Sequence, residues 1–264
     1  MKSDEMACYL YCLTPSGRGV EAAVAGVDER HPVLMHDCGE MSAVFSEVEL
    51  EDFVGPAAEA SHQDLAWLGP RVFRHEAVIE QAMSRAPVLP ARFATLFSSL
   101  DSLEQFVLEH RETVAKFFAQ LGDKQEWAVK GLLDRAAALE KLGQPATPVP
   151  NCSPGAHYFE QKRLKAQAER EFNQRLKEFC RQTAADLGTH AGGFRELMVL
   201  APETGAAEAV LNWAFLIPSG AIEDFRATLE RFNDNEAFPG LRLAMTGPWP
   251  PYSFVPDLSA GERE

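Results

Sequence analysis

The chain has 264 residues and a formal net charge of −14, with 46% hydrophobic and 24% charged residues; these are globular values that suit two domains of ordinary size. No apolar run reaches the roughly 18 residues needed to span a bilayer. Residues 1–123 carry 9 basic and 20 acidic side chains, and between His31 and Pro70 there are eight carboxylates and no Lys or Arg, which argues against nucleic acid and against an anionic membrane as partners.

The N-terminus MKSDEMACYLYCL has acidic residues where a signal peptide needs basic ones, so a cytoplasmic, soluble protein is expected. Five cysteines, an odd number, fit reduced thiols better than a disulfide framework. The run ACYLYCL (7–13) reads as a buried first strand, and GRGVEAAVAGV as a short helix or loop. HPVLMHDCG and MSAVFSEVEL are two strands around a turn at Gly39 and Glu40.

Helical period begins at Glu51 and continues through DLAWLGPRVFRHEAVIEQAMSRA, with Pro70 offering a fresh helix start. PVLPARFATLFSS is an extended segment bounded by prolines. The next helix turns Leu103, Phe106, Val107, Val114, Phe117, Phe118 and Leu121 inward and closes on Gly122.

In the back half, EWAVKGLL is a strand, followed by a helix through Leu139 and the loop GQPATPVPNCSPG. A long amphipathic helix over 156–187 has Leu164, Ala168, Phe172, Leu176, Phe179, Cys180, Thr183 and Leu187 on one face. FRELMVLAP and EAVLNWAFLIP are strands, SGAIEDFRATLERFND is a helix capped by Ser219, and LRLAMTG is a final strand. The order β-α-β-β-α-β is the ferredoxin-like module. The fold class is α+β in two units: 1–123 with inserted helices, 124–256 as a modified ferredoxin-like domain with one long helix, and a flexible tail at 257–264. The same strand and helix order recurs roughly in the front unit.

The closing segment TGPWPPYSFV places three prolines and three aromatics in ten residues. Proline excludes a helix or central strand there, so a stiff extended strap is expected. Its aromatics Trp249, Tyr252 and Phe254 are expected to staple it to the C-terminal unit with Trp249 buried, the alternative being a binding edge or a lid.

Several stretches coincide with one family: CYLYCL, AVFSEV, WLGPRVFRHEAVIE, PVLPARFATLF, EWAVKG, GAHYFEQKR, LNWAFLIP and GPWPPYSFV. Together, in this order, they resemble the GvpL/GvpF family of gas vesicle proteins. The resemblance implies a non-enzymatic protein of gas vesicle formation that contacts the small hydrophobic shell protein GvpA, with no cofactor. Ala94 stands where the family usually has glycine. Because Ala disfavours positive φ, this position is expected to stay extended.

Other chemistry is weaker. Cys8 and Cys12, four apart on a strand, with His36 and Cys38 on a neighbouring one, outline a metal cluster, but the paired short spacing of a zinc site is missing and buried thiols are the expected reading. RHEA at 74–77 lacks the second histidine of a zincin, leaving His75 and Glu76 as a polar helix flank. Arg71, Arg74, His75 and Arg92 form either an anion or carboxylate-partner site or a solvated helix face. The mixed charges of the long helix read as a solvated face. Candidate partner contacts are the acids Glu47, Glu49, Glu51 and Asp52 with Arg71, Arg74 and Arg92. The alternative is a small-molecule sensor or enzyme on a ferredoxin-like scaffold, for which convergent polar groups are missing.

Overall fold

The computed structural model describes residues 5–17, 25–55, 58, 63–141, 154–199, 207–234 and 238–258. The segment expected as a short helix or loop lies largely outside them, as do most of the proline-rich loop and the tail beyond Leu258. The chain divides into two compact units, Met1–Asp123 with Trp249–Glu264, and Lys124–Pro248.

In the front unit β1 (Met6–Pro15) is the centre of an antiparallel sheet. It pairs with β3 (Met41–Glu49), which carries β2 (Leu34–Asp37) on its outer side. On its other side β1 meets two short strands, β4 (Leu89–Pro90) and β5 (Leu96–Phe97). From Ala7 to Thr14 every residue of β1 is buried, as expected of a strand covered on both faces. A β-bulge between Leu10 and Cys12 shifts its register against β3. Alternation is broken there: Cys12 joins Ala7, Tyr9 and Tyr11 in one core cluster and Cys8 does not. The two cysteines expected on one face are therefore separated.

Helix α1 (Leu65–Met83) packs on β1 through Val78, Ile79 and Ala82. It starts at Leu65 because the Asp64 carboxylate accepts the Ala66 N–H at 2.9 Å. Pro70 lies inside it rather than opening a new helix. Helix α2 (Leu100–Leu121) packs against β1, β3, β4 and β5. A Ser99–Ser102 capping box starts it and Gly122, at φ 54°, ends it. Five of the residues expected inward are buried, Leu103, Val107, Val114, Phe117 and Leu121, while Phe106 and Phe118 are half-buried.

The second unit runs β6 (Lys124–Leu133), α3 (Arg135–Lys141), α4 (Pro154–Gly188), β7 (Gly193–Glu196), β8 (Glu208–Pro218), α5 (Ile222–Asp234) and β9 (Leu241–Trp249). Its sheet order is β7-β8-β6-β9, the ferredoxin-like arrangement. The front sheet, β2-β3-β1-β4, has the same order with β1 and β3 in the central places. In the second sheet Trp127 faces Phe215 and Val129 faces Trp213, and the core adds Leu187, Phe225, Leu229 and Leu243. The 35 residues of α4 span about 52 Å. The stripe expected on it is the less exposed face, with Phe172, Thr183 and Leu187 fully covered. Ser219 opens a 3-10 turn, Ser219–Ala221, that leads into α5.

Two expectations about the closing segment change. β9 continues through Pro248 to Trp249, which a sheet edge tolerates because proline's missing N–H would face outward. The Gly247–Pro248 peptide is cis. Beyond it Tyr252–Phe254 forms a 3-10 turn rather than an extended strap, and the turn belongs to the front unit rather than to the C-terminal one: Tyr252 lies against the cluster of Tyr9, Ile79 and Val88. Trp249 is 43% exposed rather than buried, and Phe254 is half-buried.

Candidate partner-binding surface

Helix α1 organises the polar groups of the front unit. His75, expected on a polar flank, is 1% exposed. It points into the core because Val78, Ile79 and Ala82 share its side of the helix. Its Nε2–H donates to the Ala91 carbonyl at 3.2 Å, which leaves Nδ1 to accept the Tyr9 hydroxyl at 2.9 Å. The Tyr9 oxygen in turn accepts the Ala94 N–H at 3.2 Å. Burial drives His75 down to about 4, against the opposing pull of the Ala91 carbonyl. It is a neutral core histidine near pH 7.

Next to it the Tyr252 hydroxyl donates to Glu76 Oε1 at 2.9 Å and lies 3.4 Å from His75 Nε2. Burial raises the Glu76 carboxyl and its neighbour Glu80 adds to this, while the Tyr252 hydrogen bond works against both. RHEA thus supplies an internal staple for the closing segment.

The expectation that Ala94 stays extended is also overturned: its φ is 62°. Three hydrogen bonds fix the turn around it, from Ala94 N–H to Tyr9, from Leu10 N–H to the Thr95 carbonyl and from Thr95 N–H to the Arg92 carbonyl. Together they outweigh the local preference of an L-residue.

On the other side of β1 the Tyr11 hydroxyl accepts the Val27 N–H at 2.7 Å and donates to Ser46 Oγ at 3.0 Å, and Ser46 donates to the Pro32 carbonyl. Gly26 is enclosed by this group: a Cβ there would stand 2.4 Å from Ser46 Oγ and 2.6 Å from the His31 carbonyl. Asp28 ties the same loop by accepting the backbone N–H groups of Arg30 and His31 and meeting the His31 ring at 2.7 Å. Burial pushes the Asp28 carboxyl up, but these hydrogen bonds outweigh it and hold it below the usual range.

The structure brings part of the expected contact set together. Arg30 reaches Glu49 at 3.1 Å and also pairs with Asp52. Arg74 donates to the Val27 carbonyl at 2.9 Å and to Glu29 at 2.7 Å. Arg71 lies over the Trp67 ring at 4.2 Å and donates to the Trp67 carbonyl. Burial lowers its guanidinium, and neighbouring Arg74 and Arg30 reinforce this against Asp52. Arg92 is exposed in the turn after β4, and Glu47 is exposed on β3. Arg30, which sequence reasoning did not single out, is the residue that gathers the acids. Its position beside them depends on a turn in which Glu29 has φ 63°, and no local sequence signal announced it.

Cys8, Cys12 and Cys38 are buried, and burial raises all three thiols. Among the described residues no group of three or more His, Cys, Asp or Glu side chains is placed to hold a metal ion, and no helix is long and apolar enough to cross a membrane.

Fold and site together define a tandem α+β protein, two antiparallel sheets of one strand order, whose front unit is completed by a later stretch of chain. The family model described as gas vesicle synthesis protein GvpL/GvpF matches residues 7–256, and the chain belongs to that family. It is 28% identical to gas vesicle protein L of Streptomyces sp. (strain CB03234) over 259 residues, 97% of this chain and 94% of the relative. It is 24% identical to gas vesicle protein L1 of Halobacterium salinarum, over 95% of this chain and 90% of that one. The crystal structure of GvpF from Anabaena sp. PCC7120 has the same fold, with a TM-score of 0.67 at 19% identity over 96% of this chain and 97% of its own. GvpF from Microcystis aeruginosa gives 0.63 at 21% identity, covering 95% and 99%.

Proposed function

We propose that this chain serves gas vesicle assembly by binding the small hydrophobic shell protein GvpA through its front unit, shielding or delivering it without catalysis, in the cytoplasm and at the vesicle. Family membership over residues 7–256 carries the reading. The front unit supports the choice of surface. Its outer strand β2 is short and exposes Leu34 and Met35, and its outer side pairs with no other described strand, so that edge can take an added strand. The carboxylates Glu47, Glu49, Glu51 and Asp52 on β3 and the turn after it, with Arg71, Arg74 and Arg92, supply the polar contacts. Glu49 and Asp52 share Arg30, so Glu47 is the most accessible of the acids. Purified full-length chain should retain GvpA in a pull-down, and Glu47→Lys with Glu51→Lys should weaken capture and its salt dependence. Failure of the unsubstituted chain to retain GvpA at any ionic strength would overturn the function. Unaltered capture by the double variant would remove the acids from the contact.

A further inference from the structure

Helix α1 is apolar on two sides. Its inner side is the core face already described. Its outer side, centred on Phe73, exposes Leu65, Ala66, Gly69, Pro70, Phe73 and Ala77. Leu65 is 80% and Phe73 75% exposed, two turns apart on one line of the helix. A surface helix of a self-contained domain carries polar residues there, and contiguous exposed apolar area of this kind marks an interaction site. The small residues between the two large ones let another backbone approach closely.

The charge around the face selects its occupant. Continuing the line from Phe73 and Ala77 comes Glu80, exposed on the same side. It stands in the last turn of α1, where the helix dipole disfavours a carboxylate, and no basic side chain occupies that turn. Glu76, one turn earlier, is raised in part by Glu80, so two carboxylates stand close together near this end. Residues 1–123 carry 20 acids against 9 basic residues. An anionic lipid surface or a second copy of this chain would bring like charge against like. The missing element is a cation beside an apolar surface.

We infer that the outer face of α1 is a docking groove for an apolar helix whose side chains fill the space between Leu65 and Phe73 and whose Lys or Arg meets Glu80. This rests on the proposed binding of a hydrophobic partner and assigns it a place and a polarity. A helix laid there buries Phe73 as its aromatic anchor, and the dipole-opposed carboxylate gains a counter-charge that the last turn of α1 does not supply.

The test uses the full chain and GvpA as probe. Phe73→Asp and Glu80→Lys both alter exposed positions, so each should keep its circular dichroism and melting temperature. Phe73→Asp should reduce GvpA capture at least about tenfold, the loss expected of a central aromatic anchor. Glu80→Lys should weaken capture at low salt and lose its advantage as salt rises. Capture by Phe73→Asp equal to that of the unsubstituted chain overturns the groove while leaving the proposed function standing. Capture by neither chain overturns both. Weaker capture by Phe73→Asp with no effect of Glu80→Lys keeps the apolar face and overturns the cationic partner residue.

Discussion

A buried neutral histidine makes the front unit sensitive to acid in a calculable way. His75 titrates near 4 in the folded chain and near 6.5 when unfolded. Its folded value is depressed, so its contribution is fully present above about pH 6.5 and is lost as pH falls toward about 4, because the unfolded state binds the proton first. The full difference is about 3 kcal/mol. Between pH 7 and pH 5 about 2 kcal/mol of it should disappear, a fall in melting temperature of roughly 4–8 °C for a protein of this size. The front unit holds other histidines in ionisable pairs, His31 beside Asp28 and His36 beside Glu104. The informative quantity is therefore the difference between the unsubstituted chain and His75→Gln. The variant starts less stable, since it disturbs the bonds to Tyr9 and Ala91, but it should lose less stability on acidification by that amount. Melting curves of both chains at pH 7, 6 and 5 give the answer. Parallel curves would show that His75 carries its proton in the fold or is open to water.

Four further substitutions test the packing, each read by thermal melting. Ala94→Gly should stabilise the chain by about 1 kcal/mol, because the position has φ 62° and glycine is released from the left-handed penalty; a lower melting temperature would refute this. Gly26→Ala should cost about 1–3 kcal/mol, since its Cβ would overlap Ser46 and the His31 carbonyl, and a neutral result would mean that the loop gives way. Tyr252→Phe, which breaks the bond to Glu76, should cost about 1–2 kcal/mol; Trp249→Ala, at a site 43% exposed, should cost less than the roughly 3–5 kcal/mol of a buried aromatic.

Periodicity made most of the fold legible. The inward stripes of α2 and α4 and the strands of both sheets follow from side-chain spacing alone, because each such pattern is local. What escaped was set by distant partners. His75 lies between the core side and the flank of its helix, and only the hydroxyl of Tyr9, 66 residues earlier, and the Ala91 carbonyl decide for the core. Ala94 is bent by bonds to β1, not by its own preference. The closing segment was assigned to the nearer sheet by sequence proximity, whereas Tyr252 finds its acceptor 176 residues away. Of the candidate contacts, the acids of β3 could be read directly, but their arginine could not. The outer face of α1 was hidden in plain composition: its apolar residues look like core until exposure separates the two sides.

The return of Trp249–Glu264 to Met1–Asp123 has a consequence for synthesis. Nascent domains ordinarily fold in order as they leave the ribosome, at about 5–20 residues per second. Here the front unit must wait while all of Lys124–Pro248 is translated, some 6–25 s at those rates, before Tyr252 can reach Glu76. Until then its first 123 residues are a domain with an open seam beside Tyr9 and His75. A ribosome stalled anywhere within the second unit would display that unfinished state, and a chain cut after Asp123 would hold it permanently.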